Sequence, residues 1–161
     1  YAESGPVDKA FAYFSKAIEL GPSESVYLHS FADALFVLRR EAAAYYQVTE
    51  QEIYAKALLL YSNALRLDPT NFALARDFAQ TYYPIKPLRV EPALAAWTNA
   101  QRLAREEAAR EEVSIHLARV KMLAGRFAEA RLQLGNVTND VWLKSKTGLL
   151  QHITEREKEK P

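Results

Sequence analysis

The sequence predicts an all-α chain assembled from a repeated helical unit, and three observations carry that prediction. A small residue, an aromatic four positions on and an alanine three further on recur as Ala10, Phe14, Ala17, as Ala57, Tyr61, Ala64 and as Ala93, Trp97, Ala100. Such positions share one face of an α-helix, where the alanines admit a neighbouring helix and the aromatic fills the space between them. The first two copies also close alike: Phe14-Ser-Lys-Ala-Ile-Glu-Leu-Gly-Pro22 matches Tyr61-Ser-Asn-Ala-Leu-Arg-Leu-Asp-Pro69, each ending on a proline that cannot continue a helix. Finally, with 49% apolar residues and only 5 glycines, the composition suits helices around a continuous core.

These segments resemble helix B of the tetratricopeptide repeat, a helix-turn-helix unit of about 34 residues. Counting on from Pro22 places Leu28, Phe31, Ala32 and Leu35 at the large and small apolar positions of the next helix A. After Pro69 the same count gives Ala75, Phe78, Ala79 and Tyr82, and Gly125, Phe127, Ala130 and Leu134, preceded by Leu117 and Ala118, look like a weaker fourth unit. The resemblance implies a right-handed superhelical array of antiparallel helix pairs with a C-terminal capping helix. Its expected parts form a single domain: a partial first repeat over 1–24, a second over 25–71, a third over 72–107, a degenerate fourth over 108–137 and a capping helix over 138–158.

Element by element, the departures from the pattern are as informative as the matches. Counting back from Ala10, Tyr1 and Gly5 also match, so the chain is expected to begin inside the first helical hairpin. Residue 1 is then not expected to be a natural start, which leaves room upstream for a signal peptide or further repeats. In the second repeat, Ala32 to Ala57 spans twenty-five residues rather than the pattern's roughly twelve. The surplus around Arg39 to Tyr54 predicts two lengthened helices that meet near Gln47 to Thr49 and project beyond their neighbours. Thr49 with Glu52 forms a capping box that restarts helix B. In the third repeat Arg105 replaces the closing proline, so that helix is expected to run on and turn near Glu106 to Ala109. Thr138, Asn139 and Asp140 start a final helix whose stripe of Trp142, Leu149, Leu150 and Ile153 covers the end of the array. The charged tail from Glu155 is read as solvated.

Chemistry is hard to find in the sequence. His29, His116 and His152 fall on three different helices, and a zinc site needs about four ligands with recurring local spacing, so no metal and no cofactor is expected. Glu112 and His116 lie one turn apart beside Glu111; they read either as an ordinary i,i+4 pair on a solvated helix or, less simply, as acid–base machinery. There is no Gly-rich phosphate loop, nucleophile elbow or cysteine nucleophile. A formal net charge of +1, with acidic and basic residues interleaved, argues against a nucleic-acid surface. No apolar run approaches the roughly 20 residues of a membrane span. The lack of cysteine excludes disulfides and assigns no compartment.

The resemblance implies that the helices A line a concave face. Its inward positions carry Val26, His29, Asp33 and Phe36 in the second repeat; Ala73, Arg76, Gln80 and Tyr83 in the third; and Glu112, Ile115, Arg119 and Met122 in the fourth. The candidate partner-binding residues are therefore His29, Asp33, Phe36, Arg76, Gln80, Tyr83, Arg119 and Met122, types common in binding hot spots. Phe36 and Tyr83 either offer apolar contact there or pack against the lengthened helices. Some family members grip a chaperone's C-terminal carboxylate with basic and amide residues on helix A. Here the matching positions carry Ser30, Asp33, Ala73 and Asp77, whose aspartates repel a carboxylate; a basic or amide-rich extended peptide that meets Asp33 and contacts Tyr83 fits better. The expected function is a non-enzymatic protein- or peptide-binding scaffold. The alternative is a structural segment of a larger repeat protein or oligomer that associates through Arg39 to Tyr54, where Ala42-Ala43-Ala44-Tyr45-Tyr46 demands cover.

Overall fold

In the computed structural model, which describes residues 5–159, the described residues form nine α-helices and no strand. Contacts divide the chain into a first unit ending at Arg89 and a second beginning at Val90.

The first unit contains α1 (Pro6–Leu20), α2 (Ser25–Val37), α3 (Arg39–Tyr46), α4 (Glu50–Leu67) and α5 (Phe72–Gln80). The repeated motif has a repeated conformation. Gly21 closes α1 at φ −135°, ψ 68° and Asp68 closes α4 at φ −134°, ψ 73°, each donating its N–H to the carbonyl four residues back. Ala32, Ala57 and Ala64 are fully buried, which lets α2 and α4 pack closely, and Leu28, Phe31, Leu35, Ile53 and Tyr61 fill the core around them.

The lengthened region differs from the expectation of two projecting helices. Leu38, at φ −99° and ψ 35°, breaks the first of them, and α3 sets off afresh and packs against α1 and α4. There Tyr45 and Tyr46 meet Phe11 at ring separations of 5.5 and 5.9 Å, and the ammonium of Lys56 sits 3.8 Å above the Tyr46 ring. Within its own unit Ala42 is buried and Tyr46 half-buried, while Tyr45 keeps 40% of its surface exposed. The turn itself lies where the sequence places it. Gln47 adopts a left-handed conformation at φ 56°, the Val48 N–H returns to the Ala43 carbonyl, and Thr49 and Glu52 exchange backbone and side-chain hydrogen bonds.

The expectation that α5 continues through Tyr83 fails. The helix stops at Gln80, because Pro84 lacks a donor and its ring crowds both Tyr83 and the Gln80 carbonyl. Thr81, 1% exposed, turns its hydroxyl back onto the Asp77 carbonyl at 2.9 Å. Gln51 on α4 then holds the following loop, donating to the Pro84 carbonyl and accepting from the Lys86 N–H.

The second unit contains α6 (Val90–Leu103), α7 (Glu107–Leu123), α8 (Phe127–Leu134) and α9 (Asp140–Glu159). Instead of running on past Arg105, α6 ends at Leu103. Arg110 explains the early stop, since its guanidinium binds the Ala104 and Arg105 carbonyls at 3.3 and 2.9 Å. Gly125, at φ 75°, makes the α7–α8 turn, with its N–H on the Met122 carbonyl and that of Arg126 on the Lys121 carbonyl. Both bonds belong to a Schellman closure, in which glycine is the residue best suited to the left-handed position. The stripe on α9 packs as expected: Leu149 and Ile153 are buried with Ala118, Ala130 and Leu134, and Trp142 and Leu150 pack against them. Arg131 on α8 clamps both oxygens of Glu157 on α9.

Candidate functional site

The strongest concentration of polar chemistry lies in the first unit. On α2, His29, Asp33 and Phe36 are spaced i, i+4, i+7 and so share a face. Tyr61 comes from the buried aromatic position of α4, and Asp77 and Gln80 come from α5. With Val37 and Thr81, the residues Asp33, Phe36, Tyr61, Asp77 and Gln80 line an open groove of about 350 Å³.

Tyr61 is 2% exposed, and its phenol oxygen donates to Asp33 Oδ1 at 2.6 Å. Burial, reinforced by that hydrogen bond and by the charges of Asp33 and Asp77, pushes the phenol far above its usual range, so it remains a donor. His29 Nε2 lies 2.9 Å from Asp77 Oδ2 and 3.6 Å from Asp33 Oδ2. Arg76 Nε approaches Asp77 Oδ1 at 3.6 Å. The carboxylates remain accessible at the groove, with side-chain exposures of 48% for Asp33 and 26% for Asp77. Beside them the Phe36 ring rests 5.8 Å from the Tyr54 ring, half-buried yet still part of the groove wall. An acidic floor with an apolar shoulder and an amide at its edge can accept hydrogen bonds from a cationic or amide group.

Of the residues singled out from sequence, His29, Asp33, Phe36 and Gln80 therefore come together. Arg76 sits alongside, 6.0 Å over the Phe72 ring and paired with Asp77. Tyr83 lies in the turn after α5, not on its inward face. Arg119 and Met122 belong to the second unit. Met122, expected to offer apolar contact, is instead buried at 6% exposure in that unit's core, and Arg119 is half-buried on α7. Val37 and Thr81 line the groove without having been singled out from sequence, and Tyr61 and Asp77 were read for other roles. Tyr61 was assigned to packing alone and Asp77 only to repulsion. A hydroxyl at so buried a position needs a partner, and that requirement was the available signal.

The second unit uses similar residue types for architecture. Glu111, read from sequence as surface, is 5% exposed. Its carboxylate accepts the Thr138 N–H and hydroxyl, each at 3.1 Å, and the Asn139 N–H at 2.8 Å, fastening the start of α9. Burial alone would raise its pKa, but those hydrogen bonds and nearby Lys146 outweigh it, and the carboxyl lies below its usual value. His116 is half-buried, and its ring stacks on that of Trp97 at 4.1 Å with planes 1° apart. Among the described residues, no helix is long and apolar enough to cross a membrane. No protein-family model matches the chain, and no curated protein matches it either.

Proposed function

We propose that the chain is a non-enzymatic scaffold for a protein or extended peptide, and that the α2–α5 groove receives a basic or amide side chain from that partner. The observation carrying this reading is the pair of accessible carboxylates, Asp33 and Asp77, set beside Phe36 and Gln80 in one groove. In this reading the helix pairs stack as a right-handed tetratricopeptide-like array whose helices A form a concave binding face, with Arg76 and Arg119 as further donors. The fully buried Ala32, Ala57, Ala64, Ala118 and Ala130, all at small positions of the repeat pattern, support it. The step from that array to partner binding is an analogy of fold. Self-assembly through Arg39 to Tyr54 is the weaker reading, because Ala42, Ile53 and Tyr54 are buried and Tyr46 packs against Phe11 and Lys56, which leaves Tyr45 as the exposed aromatic of that stretch.

The test is fluorescence anisotropy of labelled extended peptides rich in lysine and glutamine, titrated with the full chain. Asp33→Asn and Asp77→Asn are each expected to weaken binding by about tenfold, the scale of one charge-assisted hydrogen bond. Arg76→Ala, which removes the cation beside Asp77, should strengthen it. Affinity unchanged in all these variants overturns the assignment of the groove.

A further inference from the structure

We propose that His29, Asp33 and Asp77 form a binding site for one divalent transition-metal ion, zinc being the ion their donor set suits best. One imidazole nitrogen and two carboxylate oxygens are zinc ligands of the three-protein-ligand kind, in which a fourth position stays open. His29 and Asp33 come from successive turns of α2, and Asp77 reaches them from α5. The three ligating atoms all lie within 4.8 Å of one another.

The spacing fits an ion at the centre. Bonds of 2.0–2.2 Å to a tetrahedral zinc put neighbouring ligand atoms roughly 3.3–3.6 Å apart. His29 Nε2 is 2.9 Å from Asp77 Oδ2 and 3.6 Å from Asp33 Oδ2, so the observed separations bracket the required one. The remaining oxygens are held away from that centre. Tyr61 binds Asp33 Oδ1 at 2.6 Å and Arg76 approaches Asp77 Oδ1 at 3.6 Å, leaving both Oδ2 atoms turned toward the same imidazole nitrogen. Outer partners of this kind orient metal ligands. Tyr61 is anchored in the core, which makes its grip on Asp33 a rigid one. Asp33 and Asp77 also line the groove of about 350 Å³, which has room for water or a partner's donor atom as a fourth ligand. Two carboxylates against the single cation Arg76 also leave negative charge for a divalent ion to neutralise. The sequence reading missed the site because its donors are one i,i+4 pair and a residue 48 positions from His29.

The full chain, stripped with chelator, is titrated with zinc chloride by calorimetry and with cobalt(II) by visible absorption. One ion per chain and the intense visible bands of four-coordinate cobalt are expected. His29→Gln and Asp77→Asn should each lose more than about a hundredfold in affinity, beyond the 10–100-fold typical of outer-shell losses, and Tyr61→Phe about tenfold. His152→Gln, altering an exposed histidine on α9, should change nothing. Absence of binding at millimolar metal, or full affinity in His29→Gln, overturns the proposal. Should a variant fail to fold by circular dichroism, X-ray absorption of the cobalt-loaded parent decides: one imidazole with oxygen ligands supports the site, and a shell without imidazole refutes it. Metal alone is the probe, so the result stands apart from the peptide reading; because an ion and a basic side chain claim the same two carboxylates, zinc is expected to weaken binding of the lysine-rich peptide.

Discussion

In the first unit a histidine, two carboxylates and a tyrosine converge from three helices and still face a groove. In the second unit a glutamate, a histidine and a tryptophan are equally close to the core, yet all are committed to holding helices together: Glu111 fastens α9 and His116 stacks on Trp97. The residue types hardly differ. What separates the two regions is whether binding capacity remains after the fold has been satisfied. The Glu111 carboxylate is occupied by three hydrogen bonds from the α9 start, whereas Asp33 and Asp77 keep oxygens that open onto solvent. Titratable groups near a core therefore signal a site only where their acceptors are incompletely used.

This contrast can be broken by mutation, and the largest effect belongs to the architectural side. Trp97 is fully buried, so Trp97→Ala should destabilise the second unit by about 3–5 kcal/mol, read by urea denaturation and by amide exchange in α6 and α7. Next comes Glu111, whose carboxyl titrates below its ordinary value of 4.5. A carboxyl depressed by folding stabilises the protein above its unfolded pKa, and that contribution is lost as pH falls through the folded value. Thermal melts should therefore show the second unit weakening as pH drops below 4.5, and Glu111→Gln should remove that component. A variant with an unchanged acid profile would mean that the three hydrogen bonds do not fasten α9.

On the groove side the effects on stability are smaller. Tyr61→Phe removes the hydroxyl from Asp33, and since water can reach that carboxylate the cost should be about 1 kcal/mol. A loss above about 3 kcal/mol would mean that the cluster is architectural like its counterpart. The smallest change is a gain. Gln47 holds φ 56°, where a side chain costs roughly 1 kcal/mol, so Gln47→Gly should raise stability by up to about that amount in chemical denaturation.

The features legible in the sequence are the local ones. The alanine–aromatic face, the Thr49–Glu52 cap and the α9 stripe all depend on residues within a turn or two of each other, and periodicity reports such neighbours directly. The break at Leu38, the early end of α6 and the burial of Met122 depend on partners farther away, namely α1 and α4, Arg110 and the α8–α9 packing. The groove was half legible for the same reason. The repeat resemblance placed His29, Asp33 and Phe36 on the inward face of a helix A, while Tyr61 and Asp77 join them only once α4 and α5 are packed. Tyr83 was lost to a proline one residue away, a local signal that the repeat pattern overrode.

The central claim is that the first unit's groove is where a partner engages, and amide and side-chain NMR of the full chain titrated with a lysine- and glutamine-rich peptide tests it most directly. The account predicts shift changes centred on His29, Asp33, Phe36, Asp77 and Gln80, with the Glu111, His116 and Trp97 signals unmoved. Changes centred on Ala42 to Tyr46 or on α7, with the groove silent, would contradict it.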